Sequence, residues 1–173
     1  MNVVKNRKKA IIVANKTIER HPVPVLGIDY KVKIIYKNTK ITELDIEGKT
    51  IKISLPNRYK KINNNEILDL AIEKMYEQIA KVEIERAMEK YRIKLGFAPE
   101  EYEIKRMKAL GKCEESKITI NPEIIKYNRK IIDYVVLHQY CHLKYKTHSK
   151  RFFDMLEKYN PEYKKCEAVL LNI

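Results

Sequence analysis

Residues 135–153 read VVLHQYCHLKYKTHSKRFF and hold three of the chain's four histidines, at His138, His142 and His148. Two histidines four apart on a helix lie one turn above each other on the same face, so both rings can reach one ion. A third ligand just past the helix end can close a tetrahedron with one open position, the ligand set of a catalytic zinc. In the usual H-E-x-x-H arrangement, the residue after the first histidine is a glutamate that takes a proton from water at the metal. That position here is Gln139. An amide can orient a water but cannot accept a proton at neutral pH, so a metal cage is expected without its general base. Cys141, three residues from His138, is read as a buried thiol and not as a fourth ligand, because three ligands on one turn would crowd it.

Outward from this stretch, more motifs accumulate between residues 106 and 171. They are KALGKC with Gly111 and Cys113, ITINPEII at 118–125, IDYVVLH at 132–138, CHL at 141–143, HSKRFF at 148–153 and NPEYKK at 160–165. Together they resemble the YgjP-like zinc metallopeptidases, relatives of the WLM and SprT-like peptidases. The resemblance implies zinc on His138, His142 and His148, a peptide or protein substrate, and the catalytic glutamate's place at Gln139. It also implies a small zincin-like fold in which a long helix backs the metal-binding helix. Two departures stand out: Gln139 itself, and Leu110-Gly111-Lys112-Cys113 where the family reads W-G-S-C.

At 173 residues and 45% apolar, the chain can bury one core, and a single domain is expected over 1–173. No apolar run approaches a membrane span, so neither a membrane nor a secretory leader is expected. Three cysteines without a C-x-x-C pair argue against a disulfide framework and for a cytoplasmic protein. The net charge of +13 favours polyanions, making non-specific nucleic-acid binding a candidate property. The excess is uneven: +7 over residues 1–56, +1 over 57–100 and +5 over 101–173. A chain rich in Lys, Ile and Glu also suits a heat-stable protein, and the charge signal is discounted accordingly.

Hydrophobic periodicity divides the domain into the same three parts. Residues 1–56 are expected to form an antiparallel β meander, after an exposed basic arm at 1–9 and a strand at 10–14. His21-Pro22-Val23-Pro24 should interrupt regular structure, leaving His21 in a loop. Tyr30, Val32, Ile34 and Tyr36 recur at every second position, with Lys31, Lys33 and Lys37 on the other face, and further strands at 41–46 and 50–55 flank a turn at Glu47-Gly48-Lys49. The outward Lys31, Lys33 and Lys37 are read as a protective solvated face in preference to a nucleic-acid surface. Residues 57–100 hold the backing helix, opened by Asn63 with Glu66 and closed by Gly96 and Pro99. Its apolar stripe, which includes Val82, is assigned to the core.

Residues 101–173 are the metallopeptidase-like core, giving an α+β fold overall. Strands are expected at 102–109 and 117–120 around a loop with Gly111 and Cys113. The hairpin containing Ile118 and Ile120 is the candidate edge for pairing with an extended substrate. Asn121-Pro122 should start a short helical turn, Asn128 should cap the histidine helix, and Ser149 should cap a final helix carrying Phe152, Phe153, Leu156 and Tyr159. Tyr127, Tyr134, Tyr140 and Tyr145 are equal candidates for stabilising an oxyanion. Two further functions belong to other classes. One is a non-catalytic zinc protein that binds nucleic acid; the other is a nucleotide phosphohydrolase, for which the cluster has only Asp133 and Asp154 nearby in sequence.

Overall fold

The structure is a computed structural model that describes residues 18–171, with only the backbone of His21 and Asn64. The expected arm at 1–9 and strand at 10–14 lie outside the described residues. What is described is α+β, with two sheets and four α-helices among these residues.

The first sheet holds β1 (Ile18–Val25), β2 (Ile28–Lys37), β3 (Glu43–Glu47) and β4 (Thr50–Pro56), in the order β1-β2-β4-β3. It is not the antiparallel meander expected from the sequence. β2 and β4 run parallel, with Val32 opposite Ile51 and Ile34 opposite Ile53, while β3 folds back on β4 as an antiparallel hairpin. Burial accounts for the order. Ile51, Ile53 and Leu55 of β4 are buried, whereas every residue of β3 is exposed, so the apolar strand takes the interior place. Glu43, Asp45 and Glu47 leave the outer edge charged, which discourages pairing with other chains.

His21-Pro22-Val23-Pro24 lies within β1 and does not break it, so His21 is a strand residue and not a loop residue. Among the described strands β1 lies at the edge of its sheet, where a proline without an amide hydrogen need not leave a ladder bond unmade. The register also slips between Arg20 and Val23, absorbing the misfit as a bulge. Across this sheet, Lys31 and Lys33 both pair with Glu19, and Lys37 pairs with Glu43. The outward lysines are thus matched by neighbouring carboxylates.

Helix α1 (Asn64–Leu95) opens where Asn63 Oδ1 accepts from the amide of Asn65 at 3.0 Å, and it closes at Gly96 in the left-handed conformation. Met75, Tyr76, Ala80, Ile84, Ala87, Met88 and Tyr91 form its buried stripe. Val82 points to solvent instead. At about 100° per residue it falls well off the face that Ala80 and Ile84 share.

The second sheet contains β5 (Glu101–Ile104), β6 (Gly111–Glu114) and β7 (Lys117–Ile120), in the order β5-β7-β6. β5 is half the expected length, and the expected loop at Gly111 and Cys113 is itself a strand. Alternation reveals why: Gly111 and Cys113 are half-buried between the exposed Lys112 and Glu114. β7, with Ile118 and Ile120 fully buried, pairs on both sides and is the centre of the sheet.

Asn121 accepts from the amide of Glu123 to start the 3-10 turn Pro122–Lys126, and Asn128 caps α2 (Arg129–Lys144) through the amide of Ile131. Ser149 caps α3 (Lys150–Tyr159), and α4 (Tyr163–Leu171) completes the described chain. α1 does back α2. The Tyr140 hydroxyl donates to the Met88 carbonyl at 3.0 Å, and an ion network stitches the two helices together. In that network Glu83 accepts from Arg86 at 3.0 Å and from Arg129 at 2.6 Å, while Asp133 accepts from Arg86 at 2.8 Å and from Lys90. Glu83 is buried and held below the usual carboxylate range, first by the Arg129 guanidinium. Stripping such a carboxylate of its partners generally costs about 3 to 5 kcal/mol, so the network fixes how α2 presents its histidines.

Candidate metal centre

His138 and His142 occupy successive turns at the end of α2, and His148 follows in the short connection to α3. Their rings converge. Nε2 of His138 lies 3.1 Å from Nε2 of His142 and 3.0 Å from Nε2 of His148, and one ligand atom from each lies within 4.8 Å of the others. A neutral imidazole carries one proton on two nitrogens, so the three rings cannot satisfy one another by hydrogen bonding alone. His142 Nδ1 donates to the Tyr145 carbonyl at 3.1 Å, which leaves its Nε2 lone pair aimed into the cluster. A tetrahedral ion about 2.0 to 2.1 Å from each nitrogen holds them roughly 3.3 Å apart, within a few tenths of an ångström of the two short separations. The residues therefore fit a divalent metal.

The electrostatics favour the same state. Burial first, then the facing His142 and His148 rings, push His138 down to about 4. Burial also lowers His142, against the Tyr145 carbonyl, which raises it. Both rings are held in the neutral form that binds metal.

Phe152 forms the floor. It is fully buried, and its ring centroid lies 4.9 Å from that of His138 and 4.7 Å from those of His142 and His148. Its burial was legible in the helical pattern after Ser149; its contact with all three histidines was not, because it depends on how α3 folds back on α2. Tyr134, one turn before His138, brings its hydroxyl to 3.5 Å from His138 Nδ1. Its spacing of four from His138 was the available signal.

Gln139 is 6% exposed and faces β6, where an added Cβ at Gly111 would stand 2.8 Å from its Nε2. Cys141 is fully buried, pushed up to about 12 by burial, and stands apart from the three-histidine cluster. Of the four tyrosines, Tyr140 is turned away to α1, and Tyr127 lines a separate hollow with Asn121 and Leu170. Tyr145 meets His142 through its backbone carbonyl and lines a separate hollow with Leu95 and Phe97. Tyr134 alone brings its hydroxyl to a histidine ring, beside a ligand and on the nitrogen opposite the cluster. Among the described residues, the free edge near the histidine helix is β6 and not β7, since β7 is paired on both sides. No helix among the described residues is long and apolar enough to cross a membrane.

Comparison with known proteins extends the similarity beyond the histidine region. The profile of the YgjP-like, metallopeptidase domain matches residues 2–172, which includes the N-terminal sheet. Among solved structures, the crystal structure of the metallopeptidase zymogen of Pyrococcus abyssi abylysin is similar, with 25% identity and a TM-score of 0.47. That likeness covers 51% of this chain and 92% of that one. Among curated proteins, none matches this chain.

Proposed function

The chain belongs to the YgjP-like metallopeptidase family, and from that premise we propose that it is a zinc protein built for peptide-bond hydrolysis, strongly impaired because Gln139 stands where the general base belongs. The observation that carries this reading is the convergence of His138, His142 and His148 around one point, with Gln139 next to His138 in the helix and packed on Gly111. The three imidazoles would hold the ion, and an all-nitrogen set of this kind suits zinc better than magnesium or calcium. Zinc supplies Lewis acidity, polarising a peptide carbonyl and acidifying water.

The chain's own residues supply position. The Tyr145 carbonyl holds His142 in the tautomer that presents Nε2, and Phe152 fixes the planes of all three rings. Among the described strands, β6 offers an unpaired backbone edge, and at Gly111 it rests on Gln139 and Val135. An extended peptide added to that edge by main-chain hydrogen bonds would run beside the histidines. Gln139 can hold a water by hydrogen bonding there but has no basic site for its proton. Its low exposure keeps competing solvent away. All three cysteines are unpaired, which supports a reducing compartment such as the cytoplasm.

Metal analysis and a peptide-library assay test the proposal together, using the chain and its Gln139→Glu variant. One zinc in each, with cleavage only in the variant, is the expected result. Absence of zinc from both would remove the basis of the reading.

A further inference from the structure

We propose that the groove on the other side of the metal-binding loop is a binding site for acidic side chains of a peptide, which makes the substrate class of this centre acidic. The proposal rests on the peptidase reading in taking a peptide as the ligand. The groove encloses about 470 Å³ and is lined by Phe97, Lys144, Tyr145, Arg151, Asp154 and Lys158, among others. Its walls are the ends of α1 and α2 and the outer face of α3, whose inner face carries Phe152 beneath the histidines. Tyr145 belongs to both sites: it lines the groove, and its carbonyl holds His142.

Charge distinguishes this groove from other hollows of the described residues: beside β1, Arg20, Arg106 and Lys126 face Asp69, Glu73 and Glu123, and beside Tyr102, Arg92 faces Glu85 and Glu89. Lysines of the first sheet and of α1 are repeatedly matched: Lys31 and Lys33 with Glu19, Lys37 with Glu43, Lys74 with Glu77. Among the described residues, Lys144, Arg151 and Lys158 have no such carboxylate, a condition they share with Lys81, Lys94 and Lys108 outside the groove, so it is their gathering in one hollow that matters. Three cations thus line the groove against one carboxylate, Asp154. Such a concave, one-signed surface concentrates anions.

The aromatic rings decide between kinds of anion. Single-stranded nucleic acid gains affinity by stacking bases on open aromatic faces. Here the Lys144 ammonium sits 4.3 Å from the Phe97 centroid and that of Lys158 sits 5.3 Å from the Tyr159 centroid, so these faces are occupied by charge. What the groove offers is two ammonium groups and one guanidinium, donors that suit carboxylates. Arg151 can take one in a bidentate pair.

The test is fluorescence anisotropy with the full chain at 150 mM salt, using labelled ten-residue peptides rich in Glu, in Lys or in Ser, and a labelled single-stranded oligonucleotide. The Glu-rich peptide should bind, and at least tenfold more tightly than the other three probes. Lys144→Ser with Arg151→Ser should weaken it at least tenfold, with zinc content unchanged as the check on folding. Lys31→Ser with Lys33→Ser removes the same charge from the paired sheet and should leave affinity within about twofold. Equal weakening by the two double variants would assign binding to the general field of the protein and overturn the proposal. So would preference for the oligonucleotide, or equal binding of Glu-rich and Ser-rich peptides. Binding does not require turnover, so the two readings fail separately. An acidic peptide that binds the groove but is never cleaved by the Gln139→Glu variant counts against the peptidase, while cleavage without acidic preference counts against the groove.

Discussion

A Cβ placed on Gly111 would lie 2.8 Å from Gln139 Nε2 and 3.0 Å from Val135 Cγ1, so β6 rests directly on the turn of α2 that begins the metal site. The glycine is required by proximity and not by backbone conformation, since its φ is not among the positive ones. Gly111→Ala should therefore push the strand and the helix apart. Overpacking of this kind costs about 1 to 3 kcal/mol. A lowered urea midpoint with an unchanged m-value is the expected observation, and a midpoint equal to the parent's would mean the amide moves aside freely.

Metal binding should show as both stoichiometry and stability. One zinc per chain is expected, and with free zinc at a hundred times its dissociation constant the folded state gains about 2.7 kcal/mol. His142→Ala removes a ligand together with the ring that Tyr145 orients, and it should abolish stoichiometric binding. Calorimetric titration of chelator-treated protein measures both. Unchanged binding in the alanine variant would show that the ion sits elsewhere.

The metal-free chain should also be acid-sensitive at this site. His138 titrates near 4 in the fold, chiefly through burial, against about 6.5 in an unfolded chain. Between those values the unfolded state binds the extra proton, so stability falls as pH drops from about 6.5 towards 4 and is level above 6.5. Thermal melts of chelator-treated protein across this window should decline, and they should decline less in a His138→Gln variant. Parallel profiles would place the acid sensitivity in other groups.

The helices were readable from the sequence because their signals are local. Asn63 and Gly96 bracket α1, Asn128 starts α2 and Ser149 starts α3, each through a cap that depends on neighbours a few residues away. The histidine cluster was readable for the same reason, since a spacing of four on a helix fixes a shared face. The sheet order was not. Placing β4 between β2 and β3 depends on competition among strands for burial, and β3 and β4 both alternate apolar residues in sequence. Gly111 was legible as a motif but not as a contact, because Gln139 lies 28 positions later and only tertiary packing joins them.

Gln139→Glu tests what the site was built to do. The position faces β6 beside the histidines and supplies none of the clustered nitrogens, so the substitution should leave zinc affinity nearly unchanged. It does restore a proton acceptor. A positioned general base is generally worth about 10² to 10⁴ in rate, or roughly 3 to 5 kcal/mol of barrier, and peptide hydrolysis should rise by that factor. At 6% exposure the new carboxylate would be raised by burial and lowered by a bound dication, and activity should fall at acid pH as it takes up a proton. A glutamate variant that holds zinc yet cleaves nothing in a broad peptide library would leave the centre as a metal clamp. Robust cleavage by the glutamine form would move the role of base to another group, and with it the explanation of why this chain tolerates an amide there.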